Sequence, residues 1–188
     1  MYRLVFASIR YLHRAMTGFA VLVFLVTTPA HAQEPSVVAC KLLQLAEIES
    51  ALGGKATTKL SGVSLNERGI AMDICSVGIA RPATDGRLSV TIKIVKNLPM
   101  DGGDHIRLNN TATARQGQWK VKGAQFEEKT VGNAICTLSG RPNVPAHSVC
   151  SIPRGRGYVE VEVKSPSQKE MASMDAVRTL VQKAYTRW

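Results

Sequence analysis

Four cysteines, Cys40, Cys75, Cys136 and Cys150, constrain this chain more than any other feature. Their meaning depends on the compartment, and the N-terminal residues point to one. Residues 1–16 carry Arg3, Arg10 and Arg14 and no acid. The apolar run Gly18–Val26 follows, then Pro29 and the small-x-small site Ala30-His31-Ala32. A basic region, a short apolar region and such a site, in that order, read as a secretory signal peptide over residues 1–32, removed on export. The run from Gly18 to Val26 falls well short of the about 20 apolar residues of a transmembrane helix; an uncleaved anchor is the competing reading. In an oxidising space an even number of cysteines reads as disulfides. Of the three connectivities open to them, Cys40–Cys75 with Cys136–Cys150 joins neighbouring elements and is the expected one. The second bridge would close CTLSGRPNVPAHSVC, a loop of about 15 residues worth on the order of 3 kcal/mol in the chain-entropy model.

Other uses of these thiols fit less well. Val37-Val38-Ala39-Cys40 has the look of a lipobox, in which Cys40 would carry a lipid and anchor the protein to the envelope. Residues 29–36 separate it from the apolar run, however, and lipidation would leave three thiols unpaired. A catalytic thiol would want a C-x-x-C or a neighbouring His or cationic cluster. A zinc site would want closer ligands.

Residues 33–188 are expected to form one domain, large enough to bury about two-thirds of its unfolded surface. Loss of the leader removes three Arg and no acid and takes the formal net charge from +10 to +7. That balance suits an anionic envelope component, such as lipid headgroups or acidic polysaccharide, or an unknown protein partner. The basic residues are scattered, which argues against nucleic acid. No later segment has the apolar length of a transmembrane helix, and the expected location is the periplasm or the extracellular space.

Apolar spacing predicts the elements. Leu42, Leu45, Ile48 and Leu52 lie on one helical stripe over 41–52, stopped by Gly53-Gly54. A short strand is expected at 55–60 and a turn at 66–69. Ile70, Met72 and Ile74 alternate, and Cys75, Val77 and Ile79 alternate out of phase with them. That predicts a bulge or a strand buried on both faces. Leu88, Val90, Ile92 and Ile94 alternate with Ser89, Thr91 and Lys93, the plainest strand in the chain. A weak helix is expected from His105 to Arg115 with Asp104 as cap, and strands at 118–122, 132–138, 147–152 and 158–164, the last two as a hairpin. Ser173 is placed to cap a C-terminal helix with Met174, Val177, Val181, Ala184 and Trp188 on one face. Runs of strands between helices predict an α+β fold, an antiparallel sheet covered by the N-terminal and C-terminal helices. The order of elements also suggests two similar halves.

The opening of the mature chain resembles a family. Cys40-Lys41-Leu42-Leu43, Ala46-Glu47-Ile48-Glu49 and Ala51-Leu52-Gly53 are similar to the start of uncharacterised exported bacterial proteins. Those begin Cys-x-Leu-Leu-Thr, then an Ala-Glu-Ile helix and Leu-Gly, with a second cysteine where Cys75 stands. Gln44 departs from that pattern, in which a Thr caps the helix. The resemblance implies an antiparallel α+β sandwich of distantly PsbP-like form, with lipoproteins among its members, and no catalytic residues.

Candidate chemistry is sparse, and no cofactor motif occurs. Asp101, Asp104 and His105 gather two carboxylates and an imidazole in one short stretch. They are the candidates for a divalent metal and, through it, a small metal-dependent hydrolase, although the spacing matches no familiar metal motif and a helix cap explains the same residues. Arg154 and Arg156 in the turn RGRG are candidates to contact an anion. Glu160 and Glu162 share one face of a strand and read as a solvated pair. The leading expectation is a non-catalytic binding module. Its contact surface is the second cysteine loop with Arg141 and His147, because a bridge there lowers the ordering cost of binding.

Overall fold

A strand with apolar residues at every second position can bury one face and leave the other polar, and that pattern builds most of this molecule. The computed structural model describes residues 37–82, 86–115 and 121–188. The leader expected over 1–32 lies outside them, as do residues 118–120 of one predicted strand. The helices are α1 (Leu45–Leu52), α2 (Gly102–Arg115) and α3 (Met174–Arg187). The strands are β1 (Lys55–Ala56), β2 (Ser61–Glu67), β3 (Ile70–Ala80), β4 (Arg87–Lys96), β5 (Gln125–Val131), β6 (Ala134–Gly140), β7 (Ala146–Pro153) and β8 (Tyr158–Ser165). The fold is α+β, with one antiparallel sheet of eight strands. They run in the order β1-β3-β4-β8-β7-β6-β5, and β2 pairs with β3 beside β1. Two meanders therefore meet at the β4–β8 pair.

The two faces of the sheet differ. One carries Cys75, Val77, Leu88, Val90, Ile92, Val161 and Val163, all buried. Helix α3 lies on this face over β6, β7 and β8 and closes it with Val177, Leu180, Val181 and Ala184. Helix α1 packs on α3 and reaches β1, and its Ile48 and Leu52 join the same core. The other face has a smaller apolar cluster at one end only. Ile106 of α2 meets Val95, Ile135 and Tyr158 there, with Leu98 beneath and Ile70 and Met72 against them. The out-of-phase alternations of β3 are thus the two faces of one strand. Its register with β4 runs unbroken from Ala71–Lys96 to Ala80–Arg87, without a bulge. The two meanders do not form a repeat of the whole unit, because α1 and α2 join the cores of opposite faces.

Both bridges join the expected partners. Cys40, in a turn of 3-10 helix over Val38–Lys41, bonds Cys75 at 2.04 Å; Cys136 bonds Cys150 at 2.07 Å. Cys136 and Cys150 are directly opposed on β6 and β7, so this bridge crosses one rung of the ladder. A sulfur held in a disulfide has no valence left for a lipid thioether, which sets aside the lipobox reading of Cys40.

Several boundaries move. Helix α1 begins at Leu45, not Lys41: the Glu47 carboxylate accepts from the Gln44 N–H at 3.0 Å and fixes the start there. Leu42 and Leu43 are buried from outside the helix. The strand expected at 55–60 is two residues long, and Ser61–Glu67 is an additional strand. Residues 121 and 122 lie in a turn rather than a strand. Asp101, not Asp104, caps α2: its Oδ1 accepts from the Gly103 N–H at 2.8 Å. Ser173 caps α3 as predicted, its Oγ accepting from the Ala176 N–H at 3.2 Å.

Candidate functional site

The register places a row of polar side chains across four strands on the face opposite α3. Ser89 of β4 pairs with Lys164 of β8, Lys164 with His147 of β7, and His147 with Ser139 of β6. Successive same-face positions lie two residues apart. Arg87 therefore extends the row at one end, and Arg141, just past β6, extends it at the other. Two adjoining depressions share Pro145 and Lys164. One, of about 360 Å³, is lined by Ser139, Gly140, Arg141, Val144, Pro145, His147 and Lys164. The other, of about 320 Å³, is lined by Arg87, Ser89, Pro145, Lys164, Ser165 and Pro166. The Cys136–Cys150 rung lies at the base of the hairpin that supplies Arg141, Val144 and Pro145. The turn is closed by the Val144 N–H donating to the Arg141 carbonyl at 3.5 Å.

Charge in this groove is lopsided. Arg87, Arg141 and Lys164 join none of the ion pairs found among the described residues. Glu162, on the same face of β8 as Lys164, is engaged with His147 Nδ1 at 2.5 Å. That hydrogen bond, helped by the charges of Lys93 and Lys164, holds the Glu162 carboxyl below its ordinary value against the opposing effect of burial. Ser165, next to Lys164 in β8, alternates with Val161 and Val163 and so belongs to the α3 face, where it is buried and its hydroxyl has no hydrogen-bond partner among the described residues. Arg87 and Lys164 are exposed and Arg141 is half-buried, and cations clustered in this way can hold a phosphate or carboxylate through charge-assisted hydrogen bonds.

The remaining candidates sit elsewhere: Asp104 is exposed in the first turn of α2, and the others are occupied. Arg154 lies over the Trp188 ring, 5.5 Å from its centroid, and the Arg156 Nε donates to the Leu98 carbonyl at 2.5 Å. Both lie at the opposite end of the β7–β8 hairpin from Arg141 and tie the C-terminus and the β4–α2 connection to that turn. Asp101 spends its carboxylate on the α2 cap. His105 stacks on Tyr158 at 5.9 Å and contacts the Asn109 side chain. Among the described residues no group of three acidic, His or Cys side chains could hold a metal ion. His105 and Tyr158 instead line a depression of about 280 Å³ walled by Ile70, Met72, Val95 and Leu98.

Glu160 and Glu162 correct the sequence reading. They share a face, as expected, but are half-buried and paired rather than solvated. Glu160 meets Lys93 Nζ at 2.8 Å and accepts from the Ser151 hydroxyl at 2.9 Å. Burial disfavours the charged Lys93 ammonium, but the Glu160 charge and Tyr158 outweigh it and leave Lys93 above its ordinary value. Burial likewise pushes the Tyr158 phenol up. Sequence reasoning missed Arg87 and Lys164, which look like ordinary outward positions of two strands; only the β4–β8–β7 register brings them beside Arg141.

The site is thus a basic groove on the polar face of an antiparallel sheet, floored by β4, β8, β7 and β6. No protein-family model matches the chain, and no curated protein matches it at a significant level. Among the described residues no helix is long and apolar enough to cross a membrane.

Proposed function

We propose that the protein is an exported, non-catalytic binding module of the periplasm or extracellular space that captures an anionic envelope component through the groove of Arg87, Arg141, His147 and Lys164. The observation that carries this reading is the set of three cations around two adjoining depressions, none of them joined to an ion-pair partner among the described residues. Export is supported by the leader pattern of residues 1–32, by the two bridges, and by the resemblance of residues 40–53 to exported bacterial proteins. The bridged hairpin holds Arg141 in place before a ligand arrives and so lowers the ordering cost.

The test is co-sedimentation of the purified protein with vesicles of phosphatidylcholine containing phosphatidylglycerol, and in parallel with an acidic polysaccharide, at low and physiological salt. Binding to one of them is expected to fall by about thirtyfold in Arg141→Ala/Lys164→Ala, because each of the two charge-assisted contacts is worth on the order of 1 kcal/mol. Arg154→Ala is expected to bind like the parent. Equal binding by the groove variant and the parent rejects the groove.

A further inference from the structure

Strand β2 forms the outer edge of the sheet beyond β3. Among the described residues it pairs only with β3, Ser61 opposite Ser76 through Glu67 opposite Ile70. An outer strand presents backbone N–H and C=O groups that can pair with another chain, and natural edges are guarded by central charges, prolines or bulges. The opposite edge obeys that rule: β5 carries Glu127, Glu128 and Lys129, all exposed, at its centre. Strand β2, SGVSLNE, does not. It has no Lys and no Pro, its register with β3 is unbroken, and its single charge is the last residue.

The edge is also apolar on one side. Val63 is 48% exposed and Leu65 44%, although Leu and Val in strands are usually covered. They stand opposite Ile74 and Met72, which are only half-buried. These four side chains make one apolar strip along the edge, on the sheet face away from α3.

We propose that this edge is the contact between two copies of the chain, which pair β2 to β2, antiparallel, about a twofold axis at Ser64. The sequence of the strand points to a second copy rather than to an unrelated peptide, because it is complementary to itself. With Ser64 on the axis all seven residues find a partner. Val63 meets the partner's Leu65 and Leu65 the partner's Val63, so apolar side chains oppose on the exposed face. Gly62 meets the partner's Asn66, Ser61 meets the partner's Glu67, and no like charges oppose. Centring on Val63 sets Leu65 against the partner's Ser61; centring on Leu65 sets Val63 against the partner's Glu67. Either shift also leaves two residues unpaired. A strand-pair interface is small beside the about 800 Å² per partner of a stable complex, so the dimer is concentration-dependent. Strands β7 and β8 lie inside the sheet, away from this edge, so each copy keeps its basic groove. The inference does not rest on that groove.

Sedimentation velocity of the purified protein over a wide concentration range tests it. The parent is expected to shift from monomer to dimer, and Leu65→Lys and Val63→Lys each to move the transition at least about tenfold higher in concentration, with unchanged unfolding midpoints showing that the fold is intact. Ser64→Cys, on the axis, is expected to cross-link to itself under mild oxidation, with peptide mass placing residue 64 in both chains. Asn66→Cys, which faces the partner's Gly62, is not. A parent that stays monomeric at every concentration, with no cross-link through Ser64→Cys, overturns the inference. So does a dimer indifferent to both lysine variants that fails to cross-link at residue 64.

Discussion

Replacing Glu47 with Gln tests how the two terminal helices are held together. Glu47 sits in the first turn of α1 and takes Arg187 of α3 in two contacts, Nη1 to Oε2 at 2.6 Å and Nη2 to Oε1 at 2.8 Å. Lys183 stands at 3.4 Å, and the Gln44 N–H donates to the same carboxylate. Led by the Arg187 contact, these donors hold the Glu47 pKa at about 2 against an ordinary 4.5. Taken at face value the shift corresponds to about 3 kcal/mol. The carboxylate is 16% exposed, but Arg187 and Lys183 lie at the surface, where water and salt screen them. The net contribution is therefore about 1–2 kcal/mol. A depressed carboxyl stabilises the fold above its unfolded pKa and loses that contribution as pH falls through the folded one. About two-fifths should remain at pH 3 and about a tenth at pH 2. Urea unfolding of parent and Glu47→Gln from pH 7 to pH 2 is the assay. The expected result is a gap of about 1–2 kcal/mol at pH 7 that closes between pH 5 and pH 2 and narrows in high salt. A gap that stays constant with pH, or no gap at pH 7, refutes the clamp.

Three other perturbations follow from the packing. Replacing Cys136 and Cys150 together with Ala should cost about 2–4 kcal/mol in thermal or denaturant unfolding, since it removes a bridge across a closed loop from a fully buried rung. Gly102→Ala should destabilise by more than about 2 kcal/mol, because its new methyl would lie 2.0 Å from the Gly157 carbonyl oxygen; circular dichroism with urea unfolding reads this, and an unaffected midpoint contradicts the close approach. Spectrophotometric titration should show that the phenolate signal lost in Tyr158→Phe belongs to a group titrating above the ordinary tyrosine value, since burial disfavours its charged form.

How much of this was legible depended on whether one chain segment sufficed. Strand β4 could be read directly because Leu88, Val90, Ile92 and Ile94 are all buried and the residues between them, Ser89, Thr91 and Lys93, are not. Helix α3 could be read because its stripe and its Ser173 cap are local. Strand β2 could not: with every residue exposed, burial imposes no alternation, and Ser, Gly and Asn resemble a loop. The α2 cap was misplaced because Asp101 and Asp104 both precede helical residues, and only the Gly103 N–H direction separates them. Glu160 and Glu162 looked solvated because alternation reports which face a residue is on, not what stands across from it. Their partners Lys93 and His147 come from other strands. The groove shares that obstacle. Arg141 and His147 stood out in the cysteine loop, but Arg87 and Lys164 join them only through strand register, a non-local property.

The disulfide-stapled sheet as a scaffold for one basic groove is the central claim, and an amide-resolved NMR titration with short-chain polyphosphate at physiological salt addresses it most directly. Shifts should concentrate at Arg87, Ser89, Arg141, His147, Lys164 and Ser165 and vanish in Arg141→Ala/Lys164→Ala. Shifts spread evenly over all the basic residues, or centred on Arg154 and Arg156 at the far end of the hairpin, would contradict it.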